Sequence, residues 1–147
     1  MLLKDILSTK GSVVHTIHPR ATLDDVVQAM VGHNIGSLVV CHDETDDPPR
    51  KMVGIITERD ILRLCAKHKV PLGIRVSEAM SQSILTCSPN DHVPEIMGLM
   101  TEKRIRHVPV VDGDGQLCGM ISIGDLVKAQ HDQMAVENHY LKNYIQN

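Results

Sequence analysis

The sequence predicts an α+β fold: two tandem β-α-β-β-α repeats packed pseudo-symmetrically, sheet to sheet. Three observations carry this expectation. First, residues 14–67 are written again as 84–132. Thr16-Ile-His-Pro19 matches Thr86-Cys-Ser-Pro89, and Asn34-Ile35 through Val40 matches Arg104-Ile105 through Val110, all at an offset of 70. Gly54-Ile-Ile-Thr57-Glu-Arg-Asp60 matches Gly119-Met-Ile-Ser122-Ile-Gly-Asp125 at an offset of 65. Second, each copy alternates helical apolar stripes with short aliphatic runs bounded by turn residues. Third, one copy of about 50 residues has little core of its own, so two copies should pack sheet to sheet.

The elements follow in chain order. A short helix opens the chain, and Gly11 to Val13 links it to the first copy. A strand precedes Pro19. Thr22 then N-caps a helix, with Asp25 three residues on. Leu23, Val26, Val27, Met30 and Val31 share one face of that helix; Val93, Ile96, Met97 and Met100 form the equivalent stripe after Pro89. Strands are expected at Ser37–Cys41 with Met52–Ile56, and at His107–Val111 with Leu117–Ile121. The five-residue difference in offset falls in the polar, Pro-rich stretch His42 to Arg50, expected as a surface loop. Its counterpart, Asp112 to Gly115, is expected as a tight hairpin turn. A second helix begins after Thr57 or Ser122, and the last one outruns its repeat. The expected division is 1–13 helix and linker, 14–70 first domain, 71–83 linker, 84–132 second domain and 133–147 helical extension.

Composition narrows the function. The chain has 147 residues, 42% apolar and 22% charged, with a net charge of −3. These are globular values, and the acidic balance argues against neutralising nucleic-acid phosphates as the main task. There is no Phe or Trp and there are two Tyr, so platforms for stacking bases are nearly excluded. The core must come from Val, Ile, Leu and eight Met. Cys41, Cys65, Cys87 and Cys118 are spaced 24, 22 and 31 apart, without metal or redox spacing, and are expected as small buried thiols. No signal peptide or membrane-length apolar run is present, so a cytoplasmic protein without membrane association is expected.

The element Gly-x-x-Thr/Ser-x-x-Asp carries two readings. A hydroxyl residue with Asp three positions on, ahead of an apolar run, is a capping signal, and Thr22 to Asp25 has that form without the glycine. Capping does not explain Gly54 and Gly119, because a strand glycine marks close approach of a backbone or ligand. A strand running into a helix N-terminus also favours anions, and an ionised carboxylate one turn in suits paired ribose hydroxyls.

These elements, with Arg104-Ile-Arg-His-Val-Pro-Val110 and the repeat itself, resemble a tandem pair of cystathionine β-synthase (CBS) domains over residues 1–145. The likeness is to the stand-alone bacterial kind, with no enzyme or transporter attached. The resemblance implies two clefts that bind adenine nucleotides: AMP, ADP, ATP, NAD-type or S-adenosyl ligands. One cleft would hold Thr57 and Asp60 on the ribose, facing Ile84 to Cys87, Thr86 included. The other would hold Ser122 and Asp125, facing Thr16, Ile17 and Ile35 to Leu38. Adenine would lie against apolar strand residues, its edge met by backbone groups. The copies differ where phosphates would sit. Arg59 precedes Asp60 but Gly124 precedes Asp125, and Arg106 and His107 stand where Gly36 and Ser37 stand in the first copy. Pro109, next to Val108, matches a family position that Val39 does not. The resemblance also implies a regulatory, non-catalytic homodimer that needs no cofactor, with adenine nucleotide as regulatory ligand and a downstream protein partner.

Other classes compete. Nine histidines invite a metal site, but none forms a helical H-x-x-x-H pair, and His15 and His18 would point to opposite faces of a strand and its exit. No nucleophile-elbow sequence is present, and Asp60 and Asp125 occupy equivalent repeat positions, not a paired acid and base. Nucleotide hydrolysis remains the enzymatic alternative. The second serious alternative is an interaction module with vestigial clefts, acting through the final helix, where Tyr140 and Tyr144 are one turn apart.

Overall fold

A computed structural model describes residues 1–11, 13–43, 45, 51–68 and 71–146. The chain forms two compact units: Val14–Leu85, and Met1–Val13 together with Thr86–Asn147. The opening helix thus belongs with the second repeat.

In the unit Val14–Leu85, β1 (Thr16–Ile17) runs parallel to β2 (Ser37–Cys41), which pairs antiparallel with β3 (Met52–Thr57). Between β1 and β2 lies helix α2 (Leu23–His33). Thr22 caps it as its sequence predicts, with the Asp25 N–H donating to Thr22 Oγ1 and the Thr22 N–H donating to Asp25 Oδ2. Leu23, Val26 and Met30 are buried against Leu38, Val40 and Ile56. Val31, expected on that face, is 75% exposed: it lies at the edge of the stripe, beyond reach of the sheet. α3 (Glu58–Lys67) follows β3 directly, and a short helix α4 (Val76–Ala79) lies within the stretch expected to be linker from its composition. Val76 on α4 is fully buried in the same core. Most of the expected loop from His42 to Arg50 lies outside the described residues, as do parts of both expected links, at Ser12 and at Lys69 and Val70.

The other unit repeats this plan with α5 (Val93–Lys103), β4 (His107–Val111), β5 (Leu117–Ser122) and α6 (Ile123–Gln146). β4 and β5 pair antiparallel, and Asp112 to Gly115 makes the tight turn between them. The strand expected before Pro89 is reduced to one parallel bridge, Cys87 to Val110. α1 (Leu3–Lys10) completes this core, where Leu3 and Ile6 join Val93, Ile96, Met100, Val108, Ile121 and Leu126.

α1 stands to its unit as α4 stands to the other. Leu2 bridges His92 as Arg75 bridges Thr22. The Leu3 N–H donates to the Asp91 carbonyl as Val76 does to Ala21, and Lys4 to Pro89 as Ser77 does to Pro19. Even the left-handed residue ending each helix recurs, Asn34 at φ 53° and Arg104 at φ 55°. Of the four cysteines, Cys41 and Cys87 are buried, but Cys118 is half-buried and Cys65 is exposed on the outer side of α3. Burial and then the Asp91 charge push the Cys87 thiol up to about 12. It is a core group, not a nucleophile.

Candidate functional site

Each repeat places its hydroxyl–carboxylate pair where a strand becomes a helix. At the end of β3 the Thr57 N–H donates to Asp60 Oδ2 at 2.9 Å, and the Asp60 N–H donates to Thr57 Oγ1 at 3.4 Å. The Thr57 hydroxyl also lies 3.1 Å from Asp60 Oδ2. At the end of β5 the Ser122 N–H donates to Asp125 Oδ2 at 2.9 Å and the Asp125 N–H to Ser122 Oγ at 3.1 Å. Thr22 and Asp25 show the same distances as Thr57 and Asp60. Capping therefore accounts for the geometry of all three pairs.

The glycines have an explanation within each unit. A Cβ on Gly54 would meet Met80 Sδ at 2.5 Å and the Ser81 carbonyl oxygen at 2.9 Å. Ser81 and Ile55 exchange N–H···O bonds of 2.9 and 3.0 Å, so the chain after α4 lies directly on β3. A Cβ on Gly119 would meet Leu7 Cδ2 of α1 at 2.6 Å. The close approach that strand glycines signal is thus met by the chain itself, and these two residues no longer argue for a ligand.

The carboxylates differ in one respect. Lys10 at the end of α1 donates to Asp125 Oδ2 at 2.6 Å and to the Met120 carbonyl at 2.7 Å. Lys10 and Ser83 each lie eight residues beyond the bridging residues Leu2 and Arg75. Where Asp125 meets an ammonium, the corresponding sequence position in the first repeat is a serine. Burial alone would raise the Asp125 carboxyl, but bonds from Lys10 and Ser122 and the Lys10 charge outweigh it, leaving the pKa below the ordinary aspartate value. The sequence reading missed Lys10. Aligning Leu2 to Leu7 with Arg75 to Met80 would have found it.

A family model of the CBS domain matches residues 3–67 and 76–132. The chain belongs to the CBS domain family. It is 34% identical over 151 residues to the mitochondrial CBS domain-containing protein CBSX3 of Arabidopsis thaliana, covering 98% of this chain and 71% of that one. A CBS-domain containing protein from Agrobacterium tumefaciens shares the fold at a TM-score of 0.82 and 36% identity, over 88% of this chain and 92% of the other. The CBS domain pair of protein MJ0100, solved with 5-methylthioadenosine and S-adenosyl-L-methionine, is similar at a TM-score of 0.76 and 26% identity, over 90% and 98%. CBSX2, solved in complex with AMP, is similar at 0.67 and 25%, over 82% and 90%. CBS pairs of this kind are regulatory modules.

Within this CBS pair, Thr16, Ile17, Ile35, Gly36, Leu38, Thr57, Arg59 and Asp60 lie in one unit, and Thr86, Arg106, His107, Val108, Pro109, Ser122 and Asp125 in the other. Leu38 and Val108 are fully buried in their own cores, so only their backbones could meet a ligand. Register sets Ser37 opposite Thr57 and His107 opposite Ser122. The residue before each strand accepts the first N–H of the following helix: Glu58 to the Gly36 carbonyl at 3.0 Å, Ile123 to the Arg106 carbonyl at 2.8 Å. The Glu58 carboxylate lies over Gly36, filling the space a side chain there would take. The first copy therefore presents an acid at this helix N-terminus, whereas the second presents Arg106, which is exposed. Thr16, Arg59 and Thr86 are also exposed, and His107 is half-buried. Among the described residues no group of three or more His, Cys, Asp or Glu could hold a metal, and His15 and His18 have separate ring partners, His33 and His42.

Proposed function

We propose that this CBS pair is a regulatory, non-catalytic sensor of an adenine nucleotide, with Thr57 and Asp60 as its principal ribose-binding pair. The observation that carries the choice of pair is the Lys10–Asp125 contact. Asp125 already shares Oδ2 with an ammonium, and a ribose there must compete with it. Among the described residues the bonds to Asp60 Oδ2 come from its cap partner Thr57, and an ionised carboxylate has acceptor sites to spare. Arg59, next to Asp60, and Arg106 are the side chains proposed for phosphate. They fit AMP, ADP, ATP or an NAD-type ligand alike. The complexes of similar proteins with AMP and with S-adenosyl compounds support an adenosine moiety as the common feature. Binding biases the packing of a homodimer, and a downstream protein responds to that change.

Thermal unfolding tests the reading. A ligand bound by the folded state alone raises Tm with its concentration, by about 2.7 kcal/mol of added stability at a hundred times Kd. AMP, ADP, ATP or NAD should raise Tm, and GMP should do so far less, because guanine lacks the 6-amino donor a site built for adenine expects. No shift with any adenine ligand at millimolar concentration, or equal shifts with AMP and GMP, would overturn it.

A further inference from the structure

We propose that the projecting end of α6 pairs in parallel with the same helix of a second copy, as a short two-stranded coiled coil. α6 runs from Ile123 to Gln146, about 36 Å at 1.5 Å per residue, and everything from His131 to Gln146 is exposed. Only its first turns meet the unit beneath it, through Leu126, Ile123 and Ala129. A helix this exposed is marginal in water without tertiary packing.

Its exposed apolar residues are ordered. Val127, Met134 and Leu141 recur every seven residues and are 51%, 59% and 58% exposed. Taken as d positions, they place His131, Asn138 and Ile145 at a. At 100° per residue this seam lies about 100° around the axis from buried Leu126, so it starts clear of the unit's own core. The flanking e positions are Lys128, Ala135 and Lys142, and the g positions Gln130, Glu137 and Tyr144.

Charge selects the occupant and its direction. In a parallel pair each g residue meets the e residue five positions on in the other helix, which sets Glu137 against Lys142 twice over. The same register sets Asn138 against Asn138, where two amides satisfy each other and fix a two-stranded state. An antiparallel pair would set Lys128 near Lys142, Glu137 near Glu137, and the Asn138 amide against the Met134 thioether. In the antiparallel register that overlaps the whole seam each of those contacts is unfavourable, whereas the parallel register pairs opposite charges over the same length, so the second copy is placed parallel.

The test uses the full chain and sedimentation equilibrium across micromolar concentrations. Leu141→Glu in the seam should weaken self-association at least tenfold, whereas Val136→Glu, off the seam at f, should not change it. Lys142→Glu should weaken it, and adding Glu137→Lys to that variant should restore it. Asn138→Cys should form a disulfide to its own counterpart under mild oxidation, identified by peptide mass spectrometry against the unmutated chain. All five substituted positions are exposed, and unchanged melting curves would show that the units stay folded. A wild-type chain that is monomeric at tens of micromolar would overturn the proposal. So would equal effects of Leu141→Glu and Val136→Glu, or failure of the charge exchange to rescue.

Discussion

Lys10 makes Asp125 a different group from Asp60, although the repeat writes them alike. The ion pair is partly exposed, with side chains 37% and 23% accessible, so its contribution to stability is at most about 1 kcal/mol. Because the folded-state pKa of Asp125 is lowered, that contribution is complete above the unfolded value of about 3.9. It disappears as pH falls through the lower folded value. Lys10→Met should therefore reduce stability modestly at neutral pH, and the gap between variant and wild type should close below about pH 4. Urea unfolding at a series of pH values measures this, and a gap that persists unchanged in acid would show that Lys10 acts through something other than the carboxylate. The cap at Thr57 and Asp60 was legible from three-residue spacing alone, because capping is local chemistry. Lys10 was not, because its contact with Asp125 crosses 115 residues of sequence.

At the scale of elements, the limits of β2 and β4 follow from their aliphatic runs, and the Pro-bounded helices from their stripes. The opening helix is different. Leu3 and Leu7 correspond to Val76 and Met80, a chemically weak match that periodicity does not register, so α1 reads as a leader when it is core. Leu3→Ala should cost about 2–5 kcal/mol, as truncation of a fully buried Leu does, and a smaller loss would mean α1 is expendable. The two strand glycines should respond unequally to alanine. At Gly54 the added methyl meets the Ser81 backbone, and overpacking costs about 1–3 kcal/mol when backbone must move. At Gly119 it meets the tip of a Leu7 side chain, which can turn aside. Gly54→Ala should thus lower Tm more than Gly119→Ala, and the reverse order would contradict the assignment of Ser81 as the obstacle. The strand before Pro89 was overread: Cys87 bridges Val110 as Ile17 pairs with Val40, but Thr86 does not repeat the pairing of Thr16 with Val39.

For the molecule as a whole, two units built on one plan carry unequal sites. In the first, Asp60 is bonded to its cap partner Thr57 with Arg59 beside it in sequence; in the second, Asp125 is bonded to Lys10 as well as to Ser122. Isothermal calorimetry of AMP with wild type, Asp60→Asn and Asp125→Asn separates ribose binding from capping most directly. Asn keeps the size of Asp and much of its capping ability but loses the charge, and a charge-assisted hydrogen bond is worth about 1.5–3 kcal/mol. Asp60→Asn should weaken AMP roughly ten- to a hundredfold while the protein stays folded, and Asp125→Asn should weaken it far less. A folded Asp60→Asn protein that binds AMP as wild type does would contradict the account and leave Asp60 a helix cap alone.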